Sequence, residues 1–561
     1  MMTQKKLICV VLFLFALIYS PTIAVAQPAT CAQLTSLPPM ASNPDVKSAN
    51  SQIVAAQGAN KSYCQVNILY GTNPDQNINI RVGLPLNSKD GGSGGVQGAW
   101  NGRTQGIGGG GCSGSLAVTG PVNAGYVGSG NDTGHSGGSC EPGVNADGTY
   151  NYQFINDFIR NGIKQQVLFM KSVAKRYYGM KPLYNYWNGC STGGRQGYLL
   201  AQELGTELDG ILANAPAIYW TRFQTAQMWG QIVMRELVGG PIADAKLKQA
   251  TASAVLACDA NDGVIDGVID DPRTCTWSAA NNICGDPPAP NCLTQAEAEA
   301  IDMIWDGPRN ADGDKIWFGL DRGTSLCGGF GLNCPTPFSL GVTQFHWDEH
   351  DLTFDWQTVT IDGYAQVAQD GSRNIADVTD TFADLDTFRK SGAKMLTYVG
   401  ASDQLIMPRG VINYYRQMAS RYDYRQDHAS SGTGSVPGHG NDVDFTGVQQ
   451  FYRLFRAPGV AHCGLAGTGP FDALVNWVEN GVAPDHIDVT ISGKGRRLCP
   501  YPQTAIYDST CGDTTKASCF YCGGNLETTP TVCEDVLVKY KQEVKGPLDY
   551  TGTGFNRNEC R

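Results

Sequence analysis

Asn185-Tyr-Trp-Asn-Gly-Cys-Ser-Thr-Gly-Gly-Arg-Gln196 places Ser191 between Gly189 and Gly193, in the pattern G-x-S-x-G. In a nucleophile elbow a serine stands on a sharp turn from strand to helix. Small neighbours are needed where the backbone doubles back, and the hydroxyl is left exposed above the sheet. Leu183 to Trp187 predicts the strand, and Gln196 to Leu204, rich in good helix formers, predicts the helix. The pentapeptide alone is common, so its meaning depends on what accompanies it.

At 561 residues the chain exceeds one ordinary core, which predicts a catalytic-sized domain plus a second domain or a large insertion. Lys5 and Lys6 precede the apolar run Leu7 to Ile18, and Ala24-Val25-Ala26 supplies small residues for cleavage. Residues 1–26 therefore read as a secretory signal peptide cut after Ala26. Its apolar part is too short to span a bilayer comfortably, and no later segment is long and apolar enough to do so. The expected product is secreted or periplasmic, with no membrane partner. Cleavage takes away two lysines and no acid, moving the formal charge from -11 to -13. That balance argues against nucleic acid as a partner, and no protein partner is evident. Cleavage also takes Cys9 from the 19 cysteines and leaves an even number, which in an exported chain predicts disulfides rather than free thiols.

The first part of an α/β core is expected over residues 27–218. Short apolar runs, such as Val66 to Leu69 and Ile78 to Leu84, alternate with turn residues and predict the opening strands of a sheet. Gly106 to Gly114 is nearly all glycine between structured flanks, which favours a backbone surface approached closely over a flexible linker. His135, in Asp132-Thr-Gly-His-Ser-Gly137, reads as a loop histidine held by hydrogen bonds. Phe158, Ile159, Ile163, Val167, Leu168, Met170 and Val173 recur near helical spacing within Asn156 to Tyr178. That helix, the strand and the elbow make half of a parallel α/β layer. Over residues 219–381 come cysteine pairs, acidic turns and many aromatics, too much for a loop, and they predict an inserted domain. The α/β pattern resumes over 382–498, with strands at Lys394 to Val399 and Phe451 to Phe455 and a helix at Phe471 to Glu479. Residues 499–561 form a cysteine-rich tail.

A serine hydroxyl needs a base within hydrogen-bond reach and an acid to orient that base. On an α/β sheet of this kind they arrive in the order Ser, Asp, His, each at the C-terminal end of a strand. Ser191, Asp403 and His462 meet both conditions. Asp442 and Asp444 are rival acids that follow no strand directly. Among the histidines, His428 and His439 lie in a polar Gly/Ser-rich loop, and His486 follows a helix-end turn. Cys190 immediately precedes the serine and Cys463 immediately follows the histidine. A disulfide between them would pin the two loops together beneath the hydrogen bond that catalysis requires.

This joint placement of Cys-Ser, Asp and His-Cys resembles the signature of the tannase and feruloyl esterase family, which includes the hydrolase of mono(2-hydroxyethyl) terephthalate. The resemblance runs through Trp100-Asn-Gly-Arg103, Asp132 to Gly137, Gly189 to Gln196, Asp209-Gly210 and Cys499-Pro-Tyr-Pro502, and so covers most of the mature chain. It implies an α/β-hydrolase core under a lid domain. It also implies a serine carboxylesterase acting on esters of aromatic acids, such as gallate or ferulate, through an acyl-enzyme. Ser191 would then attack the carbonyl, His462 would carry the proton, and Asp403 would hold the imidazole. The oxyanion would meet the Thr192 N–H and a second N–H from the glycine loop, Gly110 or Gly111.

Cys258-Asp-Ala-Asn-Asp-Gly-Val-Ile-Asp-Gly-Val268 lets a chain wrap oxygens around a hard cation, but lacks the closing glutamate of an EF-hand. It resembles the lid calcium site of the family. The resemblance implies that Asp259, Asp262 and Asp266 side chains and Val264 and Val268 carbonyls surround a structural Ca2+ away from the triad. Disulfides Cys31–Cys64, Cys258–Cys275 and Cys284–Cys292 are expected with it, while Cys327 and Cys334 suggest a lid loop of its own shape. Phe338, Phe345, Trp347 and Trp356 are candidates to line a slot for a flat ring above Ser191.

Two other readings compete. A non-catalytic, calcium-dependent secreted binding protein would use the acidic stretch and leave Ser191 idle. A zinc peptidase would use His346-Trp-Asp-Glu349-His350, an H-x-x-E-H match that requires a helix turning both histidines to one face. The surroundings show no helical apolar stripe and predict a lid loop instead.

Overall fold

A computed structural model describes residues 27–326, 338–370, 384–422 and 443–527. Nine strands build one sheet: Val46–Val54 (β1), Tyr63–Tyr70 (β2), Ile78–Pro85 (β3), Arg103–Ile107 (β4), Val127–Asn131 (β5), Tyr184–Cys190 (β6), Gly210–Asn214 (β7), Lys394–Gly400 (β8) and Tyr452–Ala457 (β9). Their order is β1-β2-β3-β5-β4-β6-β7-β8-β9. β1, β2, β3 and β5 pair antiparallel in turn, and from β5 through β4 to β9 every pair is parallel. Parallel strands need crossovers that cover both faces, so they carry apolar or small residues throughout. All five residues of β5 and all five of β7 are buried accordingly. The architecture is that of an α/β-hydrolase.

The helix expected from Asn156 begins earlier, at Tyr152, because the Asn151 side chain accepts the Phe154 N–H and caps it. After a wider turn over Asp157–Asn161 it continues as Gly162–Tyr178 (α1) and stops at Gly179, whose φ of 75° is a left-handed cap. Ile163, Val167, Met170 and Val173 are fully buried. Leu168, expected on the same face, is 39% exposed, since one residue of helix turns it away from Val167. Thr192–Glu203 (α2) follows the elbow and is buried over most of its length.

The insertion falls between the neighbouring strands β7 and β8. Its helices include Trp220–Ala226, Trp229–Val238, Asp244–Cys258, Gln295–Asp306 and Ser339–Asp348 (α3). Its apolar residues Trp229, Ile301, Trp305 and Trp347 pack into the same core as Trp187, Tyr198 and Leu200 of the α/β layer. Gly469–Asn480 (α4) covers the opposite face through Phe471, Leu474 and Trp477. Among the described residues no helix is long and apolar enough to cross a membrane.

Cys31–Cys64, Cys258–Cys275 and Cys284–Cys292 pair as expected. Cys112–Cys140, Cys499–Cys522 and Cys511–Cys519 are pairings that spacing did not reveal. The proposed signal peptide, Cys327 with Cys334, His428, His439, Asp442, Cys533 and Cys560 lie outside the described residues. The tail ties insertion to core: Arg273 of the insertion donates to the Leu526 carbonyl at 2.9 Å, and Arg416 meets Glu527 at 2.9 Å.

The α1 register is tested by two truncations. Met170→Ala should cost about 2–5 kcal/mol of unfolding free energy, and Leu168→Ala no more than about 0.5 kcal/mol, as read from denaturant midpoints. Equal losses would mean that the buried face is misassigned.

Candidate active site

β6 ends at Cys190 and α2 starts at Thr192, so the whole turn is one residue, Ser191. Its φ of 63° and ψ of -124° lie where side-chain-bearing residues are strained. Two bonds, to the end of β7 and to the segment just after it, hold that conformation. Ser191 N–H donates to the Asn214 carbonyl at 3.0 Å, and the Ser191 carbonyl accepts the Ala217 N–H at 3.1 Å. The flanking glycines are required by contact as well as by turn. A Cβ on Gly189 would lie 2.5 Å from the Gly193 backbone, and one on Gly193 would lie 2.9 Å from the Gly108 Cα. The close approach expected of the glycine run is thus an approach to the elbow itself.

Asp403 and His462 follow β8 and β9, and the structure joins them. Asp403 Oδ2 lies 2.9 Å from His462 Nδ1, while Oδ1 accepts the N–H groups of Leu405 and Ile406, each at 2.8 Å. Asp403 is 1% exposed. A carboxylate with one oxygen saturated by backbone has the other left for the imidazole. The Nδ1–H is thereby fixed, and Nε2 is the basic nitrogen. His462 N–H is itself held by Gln404 Oε1 at 3.1 Å. Cys190 and Cys463 form a disulfide with Cα atoms 6.0 Å apart, which fastens the Ser191 turn to the His462 loop. The rivals are placed elsewhere: Asp444 accepts from Thr446 in a local turn, and His486 is an exposed partner of Asp485.

The glycine loop is held atom by atom. Gly108 N–H bonds the Asn188 carbonyl at 3.1 Å, Gly109 N–H the Gln196 side chain at 3.0 Å, and Gly110 N–H the Ser113 carbonyl at 3.1 Å. Among the described residues the N–H groups of Gly111 and Cys112 have no partner. Of the two glycines named from sequence, Gly110 therefore has its donor occupied and Gly111 does not. Gly111 sits at φ 57°, and its carbonyl accepts the Thr192 hydroxyl at 2.5 Å. Thr192 opens α2, so its own N–H has no intrahelical acceptor. Gln196, which anchors the loop from α2, was missed as a functional residue because nothing in the chain order ties it to position 109.

Arg195 was also missed. It is 1% exposed, and its guanidinium stands 5.1 Å from the Phe158 ring and 5.5 Å from the Trp220 ring. Burial pushes it down to about 9, which leaves it charged at neutral pH.

The aromatic slot needs correction. Phe345 and Trp347 are fully buried, and the Trp347 indole packs on Gly143 and donates to the Cys140 carbonyl at 2.8 Å. They are insertion core, since large flat side chains bury more surface inside α3 than at a mouth. Leu340, at the start of α3, is what stands over Gly111, 3.6 Å from where a Cβ would be.

His346 lies within α3, not in a loop, but His350 falls beyond its end at φ 55° with Nδ1 toward the Gly148 carbonyl, so one helix face does not carry both. Among the described residues no three His, Cys, Asp or Glu side chains are grouped to hold a metal. In the acidic stretch, Asp259 accepts the N–H groups of Asp266, Gly267 and Val268, and Asp262 that of Val264. Arg496 forms an ion pair with Asp266. Yet with Oδ2 of Asp266 taken by Arg496, its buried Oδ1, and the buried Oδ1 of Asp270 four residues on, lack a hydrogen-bond partner. Such orphaned carboxylate oxygens fit the donor chemistry of a hard cation.

The family model described as Tannase and feruloyl esterase matches residues 96–523. A probable feruloyl esterase from Arthroderma benhamiae is 32% identical over 496 residues, 82% of this chain and 85% of that protein. The probable feruloyl esterase B-2 of Aspergillus terreus is 27% identical, over 86% of this chain and 89% of its own. Among solved structures, feruloyl esterase B from Aspergillus oryzae matches with a TM-score of 0.69 at 23% identity, over 85% of this chain and 96% of that one. Tannin acyl hydrolase from Aspergillus niger matches with a TM-score of 0.71 at 21% identity, over 90% and 97%. The two structures speak for the fold, and the family match and the 32% relative speak for descent. This chain belongs to the tannase and feruloyl esterase family and is a carboxylic ester hydrolase.

Proposed function

We propose that the chain is a secreted serine esterase that cleaves esters of phenolic or other aromatic acids, such as gallate or ferulate, through an acyl-enzyme on Ser191. The observation that carries this reading is the Asp403–His462 hydrogen bond fastened to the Ser191 turn by Cys190–Cys463. The names of the relatives, feruloyl esterases among them, support the class of acid.

His462 Nε2 takes the proton of Ser191 as its Oγ bonds the ester carbonyl carbon. The carbonyl π electrons move onto oxygen, and the Thr192 and Gly111 N–H groups donate hydrogen bonds to the resulting oxyanion. Collapse of the tetrahedral centre breaks the bond to the alcohol oxygen, which leaves with the proton from His462. Water then repeats the sequence: its proton goes to His462, its oxygen to the acyl carbon, and Ser191 regains its hydrogen as the acid departs. Asp403 stays ionised throughout and steadies the imidazolium. Leu340 over the glycine loop supports apolar contact with the ring of the acid. The basic and apolar start of the chain supports export with cleavage after Ala26, and the seven disulfides among the described residues fit an oxidising compartment. Asp259, Asp262 and Asp266, with the carbonyls of Val264 and Val268, would hold Ca2+ as a structural ion. The unpartnered Oδ1 atoms of Asp266 and Asp270 support that assignment.

Ser191→Ala should lower hydrolysis of methyl ferulate or methyl gallate by about 10⁴-fold or more and abolish labelling by a fluorophosphonate probe. Turnover at the native rate in that variant would end the reading. Chelation should lower the thermal midpoint of the intact protein, and added Ca2+ should restore about 2–3 kcal/mol once its concentration reaches about 100 times Kd. Asp266→Asn should erase that response. A chelator-insensitive midpoint in calorimetry would sink the calcium assignment while leaving the esterase untouched.

A further inference from the structure

We infer that His135 is a positioning residue for the oxyanion loop, fixing through the Cys112 carbonyl the direction in which the Gly111 N–H points. The inference rests on the serine-esterase reading above and adds to it a group that never meets substrate.

A peptide unit is a rigid plane, so whatever holds the carbonyl of one residue aims the N–H of the next. The plane that carries the Gly111 N–H also carries the Gly110 carbonyl. That carbonyl accepts the Ser113 N–H at 3.1 Å and the Ser113 hydroxyl at 2.9 Å. The Ser113 N–H in turn shares its plane with the Cys112 carbonyl, and His135 Nε2 is hydrogen-bonded to that oxygen. A carbonyl can only accept, so Nε2 is the protonated nitrogen. One imidazole thus grips the second of two hydrogen-bonded peptide planes, and the first carries the proposed donor.

His135 is itself fixed on several sides. Its ring packs 4.5 Å from that of Phe154 and 6.2 Å from that of Phe158. The turn before it is pinned to β3 by Asp132, which accepts the Asn79 N–H at 2.9 Å and also the Gly134 N–H at 2.9 Å. The Cys112–Cys140 disulfide ties the gripped residue to the next segment, whose Cys140 carbonyl accepts from Trp347 of the insertion. Both halves of this cystine therefore have their carbonyls held by a ring N–H. A donor aimed by such a frame needs no reorganisation when charge develops, which is where oxyanion stabilisation gains its strength.

His135→Gln keeps an N–H donor, whereas the near-isosteric His135→Glu replaces it with an oxygen that faces the Cys112 carbonyl. In the full-length protein, Glu and Ala at this position should lower kcat for methyl ferulate about 10- to 100-fold with KM within about twofold, and Gln should stay within about threefold of wild type. Affinity for an aryl boronic acid, which forms a tetrahedral adduct on the serine, should fall in step with kcat, while affinity for free ferulate stays unchanged. Thermal midpoints report folding separately, and the Gln and Glu pair decides the matter if the Ala variant fails to fold. Equal losses in Gln and Glu, or a kcat loss without a loss of boronate affinity, would show a merely structural histidine and overturn the inference. Ser191→Ala run alongside separates the two levels. Native turnover there takes down both readings, whereas intact dependence on Ser191 with unmoved His135 variants removes only this one.

Discussion

The backbone of Ser191 is the constraint on which the rest of the molecule depends. Holding one residue at positive φ with ψ near -124° costs on the order of 1–3 kcal/mol, and it persists only because surrounding structure over-determines it. Parallel pairing sets β7 beside β6, so that Asn214 and Ala217 bond both polar groups of the strained residue. Backbone contact among Gly108, Gly189 and Gly193 leaves no room for the turn to relax outward. Beyond the ends of β8 and β9, Asp403 and His462 meet in a hydrogen bond, and Cys190–Cys463 fastens the His462 loop to this turn.

Much of this was legible in the chain because the informative residues are local or adjacent. The elbow needs its glycines within two positions of Ser191, and Cys190 and Cys463 announce their pairing by flanking the two groups it unites. The strand-end positions of Asp403 and His462 follow from short apolar runs. Contacts decided by the third dimension were not legible. Nothing in sequence spacing links Cys112 to Cys140, Gln196 to Gly109, or His135 to Cys112. Leu168 fits a helical stripe as well as Val167 does, and only the neighbouring strands decide which is covered. The aromatics of the insertion illustrate the same limit, because Trp347 suits a slot and a core equally by composition, and packing on Gly143 settles it.

Chain order also hides a neighbour of the acidic stretch. The acidic stretch belongs to the insertion and was expected to stand away from the triad. In the fold its far end rests on the loop after β9, the loop that carries His462. Val268 lies against Gly459, where an added Cβ would come within 2.9 Å, and Asp271 bridges Arg273 at 2.8 Å and Arg456 at 3.1 Å. Gly459 is three residues before His462. Coulomb attraction between nearly buried groups is far less screened than at a surface, so this cluster is a firm seat for the end of β9.

Cys112–Cys140 and Cys190–Cys463 also have a temporal meaning. One cystine closes on the glycine loop and the other joins the Ser191 turn to the His462 loop, so each of the two backbone segments around the elbow has its own covalent tie. The second tie closes a separation of 273 residues, joining the end of β6 to the loop after β9. Oxidation of that pair therefore reports that the elbow and the β9 loop have found one another. A chain still carrying those thiols holds every residue of the site and not yet the site itself.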